Sequence, residues 1–187
     1  DPIEKFYYGN WTPINFSGLI PSLGFCGQAT RHPLKVLKDW MMLRRLEKDS
    51  QKPDATYLHV PRFLPAFERG RLLHRIKNSK RIHTDFVLRT HYRGGATTEQ
   101  EKLRVEKEFF ENIQRNLFTL CLRGMGNYSV RFYQTLAMGR IPVLIDTDSV
   151  LPFEDQIPYK EFIVRVPYQD RFLVDRYIFD FLNGKDS

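Results

Sequence analysis

The segment from Arg123 to Arg131 contains the side chains best suited to chemistry with an anion. It opens with Arg123-Gly124, and an arginine offers a planar fork of donors that fits a phosphate or a carboxylate. Glycine allows the backbone to approach a ligand closely. The residues that follow are Gly126, Asn127, Tyr128 and Ser129. This composition favours a loop that binds the phosphates of a nucleotide, although a surface turn shaped by its glycines has the same signature.

The elements on either side of this loop would place it at the edge of a sheet. Phe118–Leu122 predicts a buried strand, and Ser129 predicts the cap of a helix that ends at Gly139. Ile141–Ile145 predicts the next strand. Ligands of parallel sheets collect at the carboxyl ends of strands, and a helix N-terminus attracts anions. Arg131, in the first helical turn, would be a second positive group at the same place.

Short apolar strands alternate with helices along most of the chain, which predicts an α/β protein. The other predicted strands are Ile20–Cys26, Asp85–Thr90 and Phe162–Val166. The other predicted helices are Pro33–Lys48, one within residues 61–80, one from the Thr98–Glu101 capping box to about Asn116, and Tyr168–Leu182. In the first helix, Leu34, Leu37, Met41 and Leu43/Leu46 would form an apolar face. We therefore expect a Rossmann-like parallel sheet with helices on both faces over residues 21–187, after an irregular arm at residues 1–20.

Two further positions follow predicted strands and would face the same edge of the sheet. Gln28 and Arg31 come after the first strand, and they could bind the ligand or simply precede a helix. His91 and Tyr92 come after the second strand and could flank a nucleobase, with Tyr92 stacking on it. A solvated loop is the alternative interpretation of this second pair.

Composition limits the classes of partner. The chain of 187 residues has 29 Lys and Arg against 22 Asp and Glu, a net charge of +7, which favours anionic partners. The basic residues between Arg69 and Arg81 lack a nucleic-acid-binding motif, so we interpret them as a solvated helix face and expect no nucleic-acid partner. No apolar run is long enough to predict a membrane span.

The cysteines and the acidic residues do not predict a metal site. Cys26 and Cys121 are the only cysteines, and both lie in apolar segments, so we expect two buried thiols on neighbouring strands. Asp146-Thr147-Asp148 has a spelling found in some metal sites, but we interpret it as a loop at a strand end.

The run from Leu120 to Val143 resembles the exostosin-like glycosyltransferases, called glycosyltransferase family 47. The family pattern is approximately C-x-R-G at a strand end, followed by S-x-R-x-x-E-A-x-x-x-G-x-I-P-V. This chain has Cys121-Leu122-Arg123-Gly124 and then Ser129 to Val143, and Leu151-Pro152-Phe153 is similar to the family's L-P-F. Gln134 stands where the pattern has Glu, and an amide oxygen accepts weaker hydrogen bonds than a carboxylate.

The resemblance implies a donor-binding domain of the GT-B type, which is one of two Rossmann-like domains facing a cleft. It implies an inverting transfer from a UDP-sugar without a metal cofactor. It places Arg123 and Arg131 near the donor phosphates as catalytic residues. The donor would contact Gly124, Gly126, Asn127, Tyr128, Ser129 and Gln134.

We therefore expect a glycosyltransferase whose partners are a nucleotide sugar and a glycan acceptor. An N-terminal domain outside this chain would supply the acceptor site and the base, and we expect this chain alone to bind nucleotide weakly. The expected compartment is the cytoplasm, or the Golgi lumen for an animal protein. The alternative is a degenerate, non-catalytic transferase domain that binds a carbohydrate or a protein partner, which Gln134 favours.

Overall fold

Five parallel strands form the centre of the molecule in a computed structural model that describes residues 20–51, 63–124 and 129–184. The strands are β1 Ser22–Gln28, β2 His83–Arg89, β3 Phe118–Cys121, β4 Ile141–Asp146 and β5 Val164–Pro167. Their order in the sheet is β2-β1-β3-β4-β5, and every neighbouring pair is parallel. This arrangement is Rossmann-like, as the alternation of strands and helices predicts. Residues 1–19 lie outside the described residues, so the irregular arm stays a prediction.

Five α-helices and three 3₁₀ segments join the strands in the described part of the chain. The helices are α1 Pro33–Ser50, α2 Pro65–Ile76, α3 Glu99–Arg115, α4 Val130–Ala137 and α5 Val174–Leu182. The 3₁₀ segments are Tyr92–Gly95, Tyr159–Glu161 and Tyr168–Leu173. The expectation of one helix over Tyr168–Leu182 is therefore wrong in its first part, which is a 3₁₀ segment. Pro167, whose ring fixes φ, precedes that segment.

Helix α3 begins with the predicted capping box. The Thr98 side chain accepts a hydrogen bond from the Glu101 amide at 3.2 Å, and the Glu101 carboxylate accepts one from the Thr98 amide at 3.1 Å. Helix α4 ends as predicted, because Gly139 takes the left-handed conformation with φ 63° just after it. Ser129 is the residue before α4, but its side chain forms no capping hydrogen bond.

Helices cover both faces of the sheet. On one face, Leu72 of α2 and Ile178 of α5 belong to the core cluster that contains Phe25, Phe118 and Val143 of the strands. On the other face, Phe132 of α4 packs with Cys121 and Leu144. The strands β1, β3 and β4 are therefore covered on both sides, as their apolar runs predict. Cys26 and Cys121 are buried on the neighbouring strands β1 and β3, and burial raises their pKa to about 11 and about 12.

Two sequence predictions about these elements are wrong. Most of the predicted apolar face of α1 is not packed: Leu34, Leu37 and Met41 are exposed. Leu46 is half-buried, and Leu43 is the one member of that face that is buried. The fifth strand begins at Val164 instead of Phe162, because the amides of Phe162 and Ile163 donate to the carbonyl of Tyr159 in the preceding turn.

Candidate functional site

The carboxyl ends of β1 and β3 diverge at the point where the chain changes direction across the sheet, and we call the space between them the crevice. In the order β2-β1-β3-β4-β5, the chain runs outward from β1 to β2 and then returns past β1 to β3. The two strands pair only at Leu23 with Phe118 and at Gly24 with Thr119, although β1 continues to Gln28. Such a switch point is where open α/β sheets bind their ligands.

The guanidinium of Arg131 lies in this crevice and bridges the two strands. Its Nη2 atom donates to the carbonyl oxygen of Cys26 at 2.8 Å, and Nη1 donates to that of Leu120 at 3.4 Å. The guanidinium also stacks near the Phe25 ring, with its carbon 4.5 Å from the ring centroid. Arg131 thus fixes the separation of β1 and β3 and places a positive charge between them.

Gly27 makes room for this guanidinium. A Cβ atom on Gly27 would lie 2.8 Å from Arg131 Nη2, closer than such contacts occur in proteins. Burial lowers the pKa of Arg131, and the positive charge of Arg89 adds to the effect. The Nε atom of Arg131 is buried without a hydrogen-bond partner. A charged group is therefore held in place by two neutral carbonyls, a costly arrangement unless another group compensates the charge.

A second guanidinium enters the crevice from α2. Arg69 Nη1 donates to the carbonyl oxygen of Gln28 at 2.8 Å, and Nε donates to that of Pro65 at 3.1 Å. Gly70 permits the close approach of α2 to the chain after β1, because a Cβ atom at Gly70 would lie 2.5 Å from the Thr30 carbonyl oxygen. Burial, and then the charge of Arg131, lower the pKa of Arg69 to about 10.

The loop after β3 completes this edge of the sheet. Arg123 is the second residue after β3 and is 7% exposed, and burial lowers the pKa of its guanidinium. Gly124 faces Arg69, whose Nη2 atom would lie 3.9 Å from a Cβ atom at that position. Ser129 immediately precedes α4. The predicted contacts Gly126, Asn127 and Tyr128 lie outside the described residues, so their roles stay predictions.

The residues predicted after β1 and β2 separate into two places. The Gln28 side chain donates to the Thr90 carbonyl oxygen at 3.1 Å, which joins the end of β1 to the loop that contains His91. His91 is exposed, with Nδ1 3.0 Å from the Thr90 hydroxyl. Tyr92 begins a 3₁₀ segment, and its side chain lies outside the described part of the chain.

Arg31 lies apart from Gln28. It lines a cleft of about 560 Å³ beside α2 and β2, together with His74, Lys77 and Thr84. Gln28 and Arg69 instead line a cleft of about 480 Å³ toward α1. The structure therefore places Gln28, Arg69 and the loop after β3 at one site and Arg31 at another.

Gln134 lies three residues after Arg131 in α4, so the two side chains share one side of the helix. Both are half-buried, in contrast to the exposed Val130 and Tyr133. Helix α4 is anchored on its other side by Phe132, which is 2% exposed. The position at which the family pattern has Glu is thus on the side of α4 that faces the crevice.

The acidic residues at the end of β4 are engaged with an arginine. Asp146 closes β4, and its carboxylate accepts a hydrogen bond from Arg165 Nε at 2.8 Å. Asp148 lies in the turn that follows, with φ 63°. This geometry matches the predicted strand-end loop. Over the described ranges, no group of three or more potential metal ligands is found.

The arginines of the crevice differ from the other arginines at the same edge. Arg89 pairs with Glu108 at 2.6 Å, and Arg171 of the 3₁₀ segment pairs with Glu68 at 2.5 Å. Within the residues that the structure describes, neither Arg69 nor Arg131 forms an ion pair with a carboxylate. The crevice therefore carries an excess of positive charge, which an anionic ligand would compensate.

Comparison with known proteins agrees with the pattern around Arg123. The family model of the Exostosin GT47 domain matches residues 43–174. The chain belongs to the exostosin GT47 family. The matched residues run from within α1 to the start of α5 and include β2 to β5, whereas β1 precedes them.

Several plant proteins are similar to part of the chain. The chain is 42% identical over 62 residues to "Probable glucuronosyltransferase GUT1" of Oryza sativa subsp. japonica and to "Probable beta-1,4-xylosyltransferase IRX10" of Arabidopsis thaliana. These alignments cover 33% of the chain and 15% of each relative. "Probable beta-1,4-xylosyltransferase IRX10L" of Arabidopsis thaliana is 40% identical over 70 residues, which are 35% of the chain and 17% of that protein. No solved structure matches the chain.

Within this GT47 domain, Arg69 is the residue of the crevice that sequence reasoning missed. We assigned it to a solvated basic face, but it is half-buried, while Arg71 and Arg75 are exposed. Its spacing was informative, because Arg69 precedes the buried Leu72 and Leu73 by one helical turn and therefore lies on the buried side of α2. No helix in the described part is long and apolar enough to cross a membrane.

Proposed function

We propose that this chain is the nucleotide-sugar-binding domain of a GT47 glycosyltransferase and that its donor is a UDP-linked sugar. The main support is the crevice between β1 and β3, where Arg69 and Arg131 bind main-chain carbonyls at a switch point of a Rossmann-like sheet. Arg123 lies two residues after β3, at the same edge of the sheet. Membership of the exostosin GT47 family makes a sugar diphosphate the natural anion for this crevice.

The arginines would act on the leaving group. In an inverting transfer, the acceptor hydroxyl attacks the anomeric carbon, its proton passes to a base, and the bond to the diphosphate breaks. Negative charge then develops on the diphosphate, and fixed positive groups stabilise it. We assign this role to Arg123 and Arg131. We propose no metal for it, since Asp146 of the Asp-x-Asp sequence pairs with Arg165.

The base and the acceptor site would come from outside this chain. The alignments cover only 15% to 17% of the relatives' lengths, so those proteins contain much more than the matched segment. We propose a second, N-terminal domain that closes over the crevice in a GT-B arrangement and supplies the base. This chain alone would then bind the nucleotide and transfer no sugar.

Calorimetric titration tests the proposal. The panel contains UDP, GDP and ADP, and it includes UDP-glucuronic acid and UDP-xylose because the relatives are named for those two sugars. We expect UDP to bind, with or without EDTA. Arg123→Gln should weaken binding about 10- to 100-fold, because a hydrogen bond to a charged group contributes roughly 1.5–3 kcal/mol.

The matched control is Arg75→Gln, which removes the same charge from the exposed side of α2. It should leave UDP binding unchanged. If no nucleotide binds, the donor-binding proposal is wrong and the non-catalytic alternative, a carbohydrate- or partner-binding module, is favoured.

A further inference from the structure

Arg69 brings a positive charge to the crevice from outside the segment that carries the family pattern. Its Nη1 and Nε atoms are occupied by the carbonyls of Gln28 and Pro65, and its Nη2 atom lies on the side of Gly124. Gly124 is the first loop residue after Arg123. The guanidinium therefore lies at the mouth of the crevice and next to the loop proposed to hold the diphosphate.

The packing of α2 holds this side chain in position. Glu68, the neighbouring carboxylate, is 4% exposed and pairs with Arg171 at 2.5 Å and with Arg71 at 3.3 Å. Those contacts turn its charge away from Arg69 and fix α2 against the 3₁₀ segment Tyr168–Leu173. The Thr30 amide, which donates to the Ala66 carbonyl at 2.9 Å, joins α2 to the end of β1. Arg69 is thus presented by a rigid helix.

A purely structural role does not account for the charge of Arg69. Two carbonyl oxygens could be satisfied by a neutral donor, which would not carry the cost of a desolvated guanidinium close to Arg131. The arrangement becomes favourable when an anion binds between the two groups, because each guanidinium keeps N–H donors beyond those that the carbonyls use. Arg69 also lines the cleft of about 480 Å³ toward α1, so its side chain is accessible from solvent on that side.

We propose that Arg69 is a binding residue for the donor diphosphate, acting from α2 opposite the Arg123–Gly124 loop. This assignment rests on the proposed function and extends it to a residue that lies outside the Arg123–Arg131 segment. Arg69 would bind the phosphate that faces Gly124. Arg131 would bridge the two strands and add a positive charge between them. The donor would then be held from both walls of the crevice.

The test compares Arg69→Gln, Arg69→Lys and the exposed control Arg75→Gln in calorimetric titrations with UDP, pyrophosphate and uridine. We expect Arg69→Gln to weaken UDP and pyrophosphate about 10- to 100-fold and to leave uridine unchanged, because uridine has no phosphate. Arg69→Lys should retain part of the affinity, since it keeps the charge and loses the fork. Circular dichroism and urea unfolding check that each variant is folded.

The outcomes separate this inference from the proposed function. If the unmodified chain binds UDP and Arg69→Gln binds it as well as Arg75→Gln does, the role of Arg69 is refuted and the donor site stands. An equal loss of UDP and uridine would show that Arg69 only shapes the crevice, and this also refutes the inference. If the unmodified chain binds neither UDP nor pyrophosphate, both proposals fail together.

Discussion

Two arginine-containing regions of the sheet differ in how their charge is balanced. Toward the amino ends of the strands, Asp85 of β2 accepts hydrogen bonds from Arg115 Nε at 2.5 Å and Nη2 at 3.0 Å. The same carboxylate accepts from the amides of Asn112 and Asn116 at 3.0 and 2.8 Å. At the carboxyl edge, the hydrogen bonds of Arg69 and Arg131 within the described part of the chain all go to main-chain carbonyls.

The difference separates stability from ligand binding. The Asp85 network joins β2 to α3 and leaves its charges neutralised, and the forked Arg115 contact lowers the pKa of Asp85. The crevice has the opposite property, because its charges at Arg69 and Arg131 have no carboxylate partner among the described residues, and burial followed by the charge of Arg131 lowers the pKa of Arg69 to about 10. A neutralised region should contribute to folding, whereas an excess of one charge indicates a site that a ligand completes.

Asp85→Ala tests the contribution of the neutralised region to stability and should give the largest effect. The substitution leaves two buried amides and a half-exposed guanidinium without their acceptor, so we expect a loss of about 3 kcal/mol in the free energy of unfolding. UDP affinity should stay within about threefold of the unmodified chain, because the network lies away from the crevice. Urea unfolding and calorimetric titration measure the two quantities.

The control for Asp85→Ala is Asp155→Ala, which removes an exposed carboxylate. It should change neither quantity by a measurable amount. A large fall in UDP affinity in Asp85→Ala, with the protein still folded, would contradict the separation of the two regions.

Stabilisation by UDP tests the role of the crevice in ligand binding. UDP at about 100 times its dissociation constant should stabilise the folded chain by about 2.7 kcal/mol, because it binds only the folded state. The gain should be equal in Asp85→Ala, since distant effects add. In Arg123→Gln, the same UDP concentration should give much less stabilisation. Urea unfolding with and without UDP measures this, and unequal gains would show that the regions are coupled.

Low pH should remove the contribution of Asp85 to the free energy of unfolding. Because the folded pKa of Asp85 lies below its ordinary value of 3.8, the unfolded chain takes up the proton first as the pH falls. The contribution of Asp85 is therefore complete above about pH 4 and is lost as the pH falls through the folded pKa. Urea unfolding from about pH 6 to about pH 3 should show a smaller loss in Asp85→Asn than in the unmodified chain. Equal losses would contradict the assignment.

The sequence predicted the strands and the start of α3 because both are local signals. An apolar run such as Phe118–Leu122 indicates burial on both faces, and the Thr98–Glu101 spacing indicates a helix start. The exposure of Leu34 and Leu37 could not be predicted in this way. Their spacing indicates an apolar face, but spacing does not reveal what that face packs against.

The crevice itself required the structure, because it joins distant parts of the chain. Arg69 and Arg131 meet across the end of β1, through hydrogen bonds to Gln28 and Cys26. Such contacts depend on strand order and on the point at which β1 and β3 diverge, neither of which a local pattern contains. The family pattern identified Arg123 and Arg131, and the helical spacing of Arg69 identifies its position only once α2 is known to cover this edge.

The capping box of α3 tests whether location or charge balance decides the role of a group, and its effect should be the smallest. Thr98 precedes α3, the helix that follows the carboxyl end of β2, so it lies toward the same edge of the sheet as the crevice. Its contacts with Glu101 are satisfied, and hydrogen bonds from Thr97 and Thr98 lower the pKa of Glu101 to about 2. We therefore expect Thr98→Ala to lower the free energy of unfolding by about 1 kcal/mol and to leave UDP affinity unchanged. Thr98→Ser, which keeps the capping oxygen, should restore most of the stability. A loss of UDP affinity in Thr98→Ala, measured by titration on the folded variant, would show that proximity to this edge, rather than uncompensated charge, defines the binding site.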